Sequence, residues 1–181
     1  MAVKNFWSLN VDEAIVADKL QNEFKKLNWE VFFPLRSQLK DIDLLLVNLK
    51  NKKALTIQVK GSRTYLPQKR EVVRFGDGQA AWFTVPRKKI FETNYSVDCF
   101  IFLIHLEKTG TTKREIELHS LVVPIQDLRR IIENKKRRKN DSYDFFMWIN
   151  PTEKKAIEYE EWNNTIDFSP YLDNYEILTE I

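Results

Sequence analysis

The most apolar run of the chain, "SVDCFIFLIHL" at residues 96–106, restricts the fold more than any other feature. It has about the length of a central β-strand and falls short of the roughly 18 apolar residues that a membrane-spanning helix needs. A polar turn, "EKTGTT", follows it, and residues 116–123 are predicted to form its antiparallel partner. The chain is therefore expected to build its core around a β-sheet.

Helical spacing precedes this sheet in the sequence. Over residues 11–27 apolar side chains recur every three or four positions, which predicts a helix with one buried face. The inward-facing residues would be Ala14, Ala17, Leu20, Phe24 and Leu27. Asn10 is a suitable N-cap, and Glu13 stands three residues later, as in a capping box.

The rest of the chain alternates between strand-like and helix-like segments. Strands are predicted over residues 29–33, 42–49, 54–60 and 143–149, and short helices over 86–91 and 125–134. Residues 65–79 are polar and irregular. This order suggests an α/β sandwich around a mixed sheet. We expect one domain over residues 1–181, with a core over about 8–134 and then, over 135–181, a basic run, an extra strand and an acidic, aromatic tail that wraps the core.

Composition limits the class of protein. The chain has 181 residues, enough for one domain, and 43% of them are hydrophobic, which allows a sizeable core. One cysteine and two histidines argue against a structural zinc site, and Cys99 lies in the apolar run, where we expect core packing. The sequence shows no signal-peptide pattern, so the expected location is the cytoplasm, with no membrane partner.

Polar side chains interrupt two neighbouring strand-like runs. Asp43 lies at the start of one run, and Gln58 and Lys60 lie at the end of the next. Side chains alternate across a strand, so Gln58 and Lys60 share a face. A two-residue turn would place Asp43 opposite Lys60, and a four-residue turn allows either this register or one shifted by two residues. Either register brings the three polar groups to one face.

An acid, an amide oxygen and an ammonium group on one patch suit a magnesium site. Magnesium takes oxygen ligands, keeps several waters and needs only one or two carboxylates. A nearby lysine can orient the attacking water or stabilise the charge of the transition state. The alternative is a buried ion pair of Asp43 and Lys60, with Gln58 hydrogen-bonded in the core. Buried ion pairs are not a routine source of stability, which favours the functional interpretation.

This pattern resembles the PD-(D/E)xK nuclease superfamily, which has the restriction-endonuclease-like fold. Asp43 matches the first acid of the family motif, and residues 58–60, Gln-Val-Lys, match its acid-x-Lys tripeptide. Glu13 matches an additional acid on the first helix of many members, including Holliday-junction resolvases. The resemblance covers roughly residues 8–105. It implies an α/β/α sandwich with a central mixed sheet and a helix-strand-strand-strand-helix-strand core.

Two positions depart from the family pattern. Ile42 stands where the name-giving proline would be, and Gln58 stands where an acid is usual. Mrr-like members also carry Gln-x-Lys, so this change is compatible with activity. Glutamine supplies an oxygen but no charge, so metal binding should weaken unless another acid compensates. Glu13 is the candidate, although a glutamate in a capping box needs no metal.

The resemblance implies a metal-dependent endonuclease that hydrolyses DNA phosphodiester bonds with Mg²⁺ or Mn²⁺. Asp43, Gln58 and Glu13 would hold the metal, and Lys60 would complete the catalytic set with Asp43 and Gln58. The alternative is a catalytically inactive nucleic-acid-binding or protein-interaction module of the same fold. Assembly as a homodimer stays open.

Basic side chains follow the motif in the sequence. Four of them would border the site and contact DNA phosphates, namely Arg63, Lys69, Arg70 and Arg74. A second basic run, "KKRRK" at residues 135–139, is either a phosphate-binding segment or a solvated face. Trp82 either stacks on a base or belongs to the core.

Overall fold

The computed structural model describes residues 10–34, 42–92, 97–107, 115–133, 135 and 137–181. Helix α1, Val11–Phe24, confirms the predicted first helix and continues as a 3-10 turn over Lys25–Leu27. Ala17, Leu20 and Phe24 are buried as predicted, but Ala14 and Leu27 are exposed, because Ala14 faces away from the sheet and Leu27 lies in the 3-10 turn. Asn10 is its N-cap, because the Asn10 side-chain oxygen accepts a hydrogen bond from the Asp12 N–H (3.2 Å). Asn28 ends the segment in the left-handed conformation, with a φ of 60°.

A five-stranded sheet, called the first sheet below, forms the centre of the fold. Its strands are β1 (Trp29–Phe32), β2 (Leu44–Asn48), β3 (Ala54–Arg63), β5 (Cys99–Glu107) and β6 (Ile116–Pro124). The order is β1-β2-β3-β5-β6, with β3 and β5 parallel and the other neighbours antiparallel. The predicted mixed sheet and the predicted pairing of β5 with β6 are confirmed. Cys99 is buried, as expected, and most of the turn predicted after β5 lies outside the described residues.

A second, antiparallel sheet of four strands packs against the first. Its strands, in order, are β4 (Gln79–Pro86), β7 (Ser142–Asn150), β8 (Lys155–Glu158) and β9 (Ile166–Asp167). The sequence predicted β7 but not β4, β8 or β9. β4 was not predicted because its partner along its whole length is β7, which is far away in the sequence. β8 and β9 were not predicted because they are too short to show a clear alternation of apolar and polar residues.

Short helices connect the strands. The connecting helices are α2 (Lys69–Phe75), α3 (Lys88–Phe91) and α4 (Ile125–Ile132), and a further short helix, α5 (Ile177–Glu180), follows the last strand. The helices predicted over 86–91 and 125–134 correspond to α3 and α4. Helix α2 lies in a segment that was predicted to be irregular, because its capping box uses Gln68 in place of the usual serine or threonine. Within the described residues, none of the helices is both long and apolar enough to span a membrane.

Apolar side chains form one core on each face of the first sheet. The core between the two sheets contains Phe83, Phe100, Phe102, Phe145 and Phe168. The core under α1 contains Val16, Leu20, Phe24, Ile57 and Leu103. The C-terminal segment adds Tyr175 and Leu178 to the core under α1. The chain therefore has a mixed α/β fold, in which α1 covers one face of the first sheet and the second sheet, with α3 and α4, covers the other.

Candidate functional site

The hairpin of β2 and β3 brings Asp43 beside Gln58. Leu44 pairs with Ile57, and the Asp43 N–H donates to the Ile57 carbonyl oxygen (2.9 Å). The paired ladder ends at Leu44 and Ile57, and the Asp43 side chain contacts the Gln58 side chain just beyond this end. The structure thus has the shifted register of a four-residue turn, and not the register that places Asp43 opposite Lys60.

Gln58 and Lys60 face the space between the two sheets. Their parallel partners on β5 are Phe100 and Phe102, whose side chains belong to the core between the sheets. Asp43 and Gln58 are buried, with 7% and 3% of their surfaces exposed, and Lys60 is partly buried. The three polar residues singled out in the sequence therefore share the inner face of the first sheet.

Asp43 accepts two hydrogen bonds from β3. Its Oδ2 atom accepts one from the Val59 backbone N–H (2.8 Å) and one from the side-chain Nε2 of Gln58. These bonds offset the cost of removing the carboxylate from water. They also hold the carboxylate in a defined position relative to the Gln-Val-Lys tripeptide.

Lys89 also belongs to the site, although no sequence pattern predicted it. Its Nζ atom donates to Oε1 of Gln58 (2.9 Å), so the Gln58 amide bridges a carboxylate and an ammonium group. Lys89 lies on α3, which follows Pro86 and places Ile90 in the core between the sheets. The short helix predicted over 86–91 is the available sequence signal, but it does not indicate which strand the helix packs against.

The orientation of the Gln58 amide bears on metal binding. Its nitrogen faces Asp43 and its oxygen faces Lys89. To place the oxygen beside the Asp43 carboxylate, the amide would have to rotate by half a turn and give up both hydrogen bonds. One carboxylate is sufficient for a magnesium ion that keeps several waters. The residues therefore fit magnesium with Asp43 as the principal ligand, and with Gln58 as a ligand after this rotation.

The start of α1 lies against the end of the motif. The Asp12 carboxylate lies against Gly61, where an added Cβ would overlap it, so glycine allows this close approach. The other Asp12 oxygen contacts Nε2 of His105 at 2.8 Å. Glu13, the next residue, is buried in α1 with 6% of its surface exposed. The helix end that carries this predicted ligand is thus anchored one residue beyond Lys60.

Carboxylates are few in this region. Across the described residues, no group of three or more His, Cys, Asp or Glu side chains is placed to hold a metal ion. A site of three carboxylates is therefore not found in that part of the chain. Of the predicted donors Asp43, Gln58 and Glu13, the first two are in contact on the inner face of the first sheet, whereas Glu13 lies on α1, which covers the other face.

Arg70 and Arg74, expected to border the site, lie over the ring of Trp162. Their guanidinium carbons are 5.3 Å and 4.8 Å from the ring centroid. Trp162 packs on the outer face of the second sheet, away from the core between the sheets. Arg63, at the end of β3, and Lys69, at the start of α2, are exposed. Arg70 and Arg74 therefore lie on a different surface from the motif residues and do not border the site.

The basic run at residues 135–139 is largely paired with acids. Lys135 is buried, with 2% of its side chain exposed, and its Nζ lies 2.9 Å from Oε1 of Glu158. Burial raises the pKa of Glu158, although Lys135 opposes this shift. Arg137 and Arg138 form ion pairs with nearby aspartates at 3.1 Å and 2.9 Å. Lys136 lies outside the described residues. Lys135 is thus a structural residue and not a solvated one.

Comparison with known proteins does not identify a relative, since no family model, curated protein or solved structure matches the chain. The functional argument therefore depends on the residues of the site.

Proposed function

We propose that the protein is a metal-dependent nuclease that hydrolyses DNA phosphodiester bonds, with the site arranged as in the restriction-endonuclease-like fold. The contact between Asp43 and Gln58 carries this proposal, because it joins the first acid of the motif to the tripeptide. Lys60 stands two residues further along β3 and faces the same side. The mixed sheet and the position of α1 beside the motif support the same arrangement.

Each residue has its own role in this proposal. Asp43 holds Mg²⁺ or Mn²⁺, with Gln58 and Glu13 as further ligands. When bound, the ion neutralises charge on the phosphoryl group. Lys60 orients the attacking water or stabilises the negative charge that develops in the transition state. Arg63 is exposed at the end of the same strand and can contact a DNA phosphate.

Lys89 is a positioning residue in the proposed site. Its bond to the Gln58 oxygen keeps the amide nitrogen on Asp43. Release of this bond and of the bond to Asp43 lets the amide rotate by half a turn, so that its oxygen can act as a ligand. Lys89 also adds a second positive charge, which favours an anionic substrate near Lys60.

One observation favours a second candidate function, a catalytically inactive nucleic-acid-binding or protein-interaction module of the same fold. The Gln58 amide satisfies both Asp43 and Lys89, so this part of the polar network is complete without a metal. A fully satisfied buried network can be retained because it fixes a unique packing. The two candidates differ in whether a divalent ion is required.

Incubation with single-stranded, duplex and branched DNA tests the proposal. Each substrate is presented with magnesium, with manganese or with a chelator. Cleavage that depends on the metal supports the nuclease. DNA binding that is insensitive to the chelator, without cleavage, supports the module.

Two variants give this experiment its controls. Asp43→Asn keeps an oxygen that accepts the bonds from Val59 and Gln58 but loses the charge, so we expect a folded protein without cleavage. Lys60→Ala should lose cleavage and still bind magnesium in a calorimetric titration. An active Lys60→Ala enzyme would contradict the role of this lysine. If Asp43 and Lys60 formed only a buried ion pair, each variant would lose about 3–5 kcal/mol of stability.

A further inference from the structure

Aromatic side chains form a row across the outer face of the second sheet. Trp82 on β4 pairs with Phe146 on β7, with ring planes 9° apart and centroids at 5.9 Å. Phe146 lies 6.3 Å from Tyr159, and Tyr159 lies 6.1 Å from Trp162. We call these four residues, Trp82, Phe146, Tyr159 and Trp162, the outer aromatic row.

Trp82 is the exposed end of the outer aromatic row. The alternation along β4 sends Trp82 outward, while Phe83 enters the core between the sheets, so Trp82 is not a residue of that core. It keeps 45% of its surface exposed, although tryptophan is one of the side chains that gain most from burial. Phe146 supports the Trp82 ring from beside it. The Trp82 ring is thus parallel to the Phe146 ring, with almost half of its surface accessible to a planar group.

Guanidinium groups lie at both ends of the row. Arg70 and Arg74 lie over Trp162, and Arg138 lies 6.0 Å from the ring centroid of Trp82. Arg138 is paired with an aspartate of β7. In the part of the chain that the structure describes, neither Arg70 nor Arg74 is paired with a carboxylate, and both are exposed. The face therefore carries two exposed arginines beside aromatic rings, and the carboxylate of Glu71, which contacts the row, is buried and accepts a hydrogen bond from the Tyr159 hydroxyl (3.0 Å).

We infer that this face binds single-stranded nucleic acid. Proteins that hold single strands combine cations that meet the phosphates with aromatic rings on which unpaired bases stack. A duplex keeps its base faces stacked on one another, so it cannot use an exposed ring in this way. An apolar protein partner could cover Trp82, but it would leave the charges of Arg70 and Arg74 without counter-charges. The charge on the face therefore favours a polyanion.

The roles within this surface follow from its geometry. Trp82 stacks on a base, and Arg70 and Arg74 contact phosphates. The contact of both arginines with Trp162 holds them in place before binding. The inference goes beyond the proposed nuclease site, because the row lies on the outer face of the second sheet and binding there needs no metal.

Fluorescence anisotropy in the presence of a chelator tests the inference. The probes are labelled oligothymidine and oligouridine of equal length, with a duplex DNA of that length for comparison. We expect tighter binding of the single strands than of the duplex. Tighter binding of one oligonucleotide over the other identifies DNA or RNA as the preferred strand, and either result supports the inference.

Two sets of variants separate stacking from charge. Trp82→Ala should weaken single-strand binding on the order of ten- to hundredfold with an unchanged salt dependence, and Trp82→Phe should keep most of the affinity. Arg70→Gln/Arg74→Gln should lower the slope of log affinity against log salt by about 1.4, because each phosphate contact on a single strand contributes about 0.7. Circular dichroism establishes that each variant is folded.

Matched controls come from the first sheet and α1. Phe32→Ala removes an equally exposed aromatic ring, with 48% of its surface accessible, from β1. Lys25→Gln/Lys26→Gln removes two exposed positive charges after α1. Both controls should bind as the wild type does. The inference is overturned if Trp82→Ala binds as tightly as wild type, if the controls lose as much affinity, or if the duplex binds as well as the single strands. Because no metal is present, a failed nuclease assay does not affect this result, and failure here leaves metal-dependent cleavage to be judged by itself.

Discussion

Replacing Gln58 by glutamate tests the site most directly, because it adds one charge with little change in volume. Gln58 donates through Nε2 to Asp43 and accepts through Oε1 from Lys89. A glutamate keeps the Lys89 contact and turns it into an ion pair. Toward Asp43, however, it presents a second carboxylate oxygen where the wild type presents a donor.

The structure sets the size of the effect without metal. A hydrogen bond to a charged group contributes about 1.5–3 kcal/mol, and this bond to Asp43 is lost. Two unit charges about 4 Å apart repel by ~4 kcal/mol at an effective dielectric of about 20, and the attraction of Lys89 for the new carboxylate has a similar size and the opposite sign. The charge terms nearly cancel. We therefore expect Gln58→Glu to lower the free energy of unfolding by about 2 kcal/mol in a chelator.

Magnesium should reverse this loss. A divalent ion about 4 Å from the added charge gains on the order of 8 kcal/mol of gross Coulomb energy at the same dielectric, before desolvation is subtracted. Binding should therefore tighten. A ligand at about a hundred times its Kd stabilises the folded state by ~2.7 kcal/mol. Urea unfolding with and without magnesium, together with calorimetric titration, measures both effects.

Gln58→Met is the matched control for this variant. It has a similar length but lacks both polar atoms, so it should be less stable than wild type whether or not magnesium is present. Suppose instead that Gln58→Glu is as stable as wild type in the chelator and does not respond to magnesium. The Gln58 side chain then does not face Asp43, and the metal-site argument fails.

Three further predictions concern one contact beside the motif and two ion pairs elsewhere in the fold. Gly61→Ala should lower the free energy of unfolding in urea by about 1 kcal/mol, because its Cβ displaces the Asp12 side chain from its contact with His105; unchanged stability would refute this contact. Lys135→Met should cost about 3–5 kcal/mol by leaving Glu158 buried without its partner, with single-strand affinity unchanged; the reverse pattern would make the run a phosphate-binding segment. His119 donates a hydrogen bond from Nδ1 to the Asp173 carboxylate, and this bond raises the pKa of His119 above 6.5. The contact therefore stabilises the fold fully below that unfolded-state value and is lost as pH rises through the higher folded-state value. Asp173→Asn should therefore lower stability more near pH 6 than near pH 9, by less than about 1 kcal/mol, and an equal loss at both would contradict this assignment.

Most of the first sheet and the residues of the motif could be predicted, because both show patterns among residues that are close in the sequence. The apolar run at residues 96–106 contains most of β5, and the strands predicted over residues 42–49 and 54–60 correspond to β2 and β3. Strand alternation places Gln58 and Lys60 on one face in any register. The position of Asp43 on that face required only that the turn should have an even number of residues, and the observed register satisfies this condition.

The second sheet and Lys89 were not predictable, because both depend on pairing between distant segments. β4 finds its partner only in β7, and α3 reaches Gln58 from 31 residues further along the chain. The same dependence on distant pairing explains why Arg70 and Arg74 were wrongly expected to border the site. Tyr65 pairs with Ala80, which carries the chain from the end of β3 to the second sheet, so α2 packs on the outer face. Proximity to the motif in sequence therefore did not mean proximity in space.

The glutamine at position 58 also affects how tightly the proposed nuclease would bind its metal before and after DNA is bound. Because the amide satisfies Asp43 and Lys89 together, the site is stable without a metal. A glutamate there would instead place two carboxylates side by side and depend on the ion to separate their charges. Magnesium held by one or two carboxylates usually takes further oxygens from substrate phosphates. In the proposed nuclease, the amide at position 58 therefore makes metal binding weak before DNA is bound and stronger afterwards. By linkage, the bound metal increases the affinity for DNA by the same factor by which bound DNA increases the affinity for the metal.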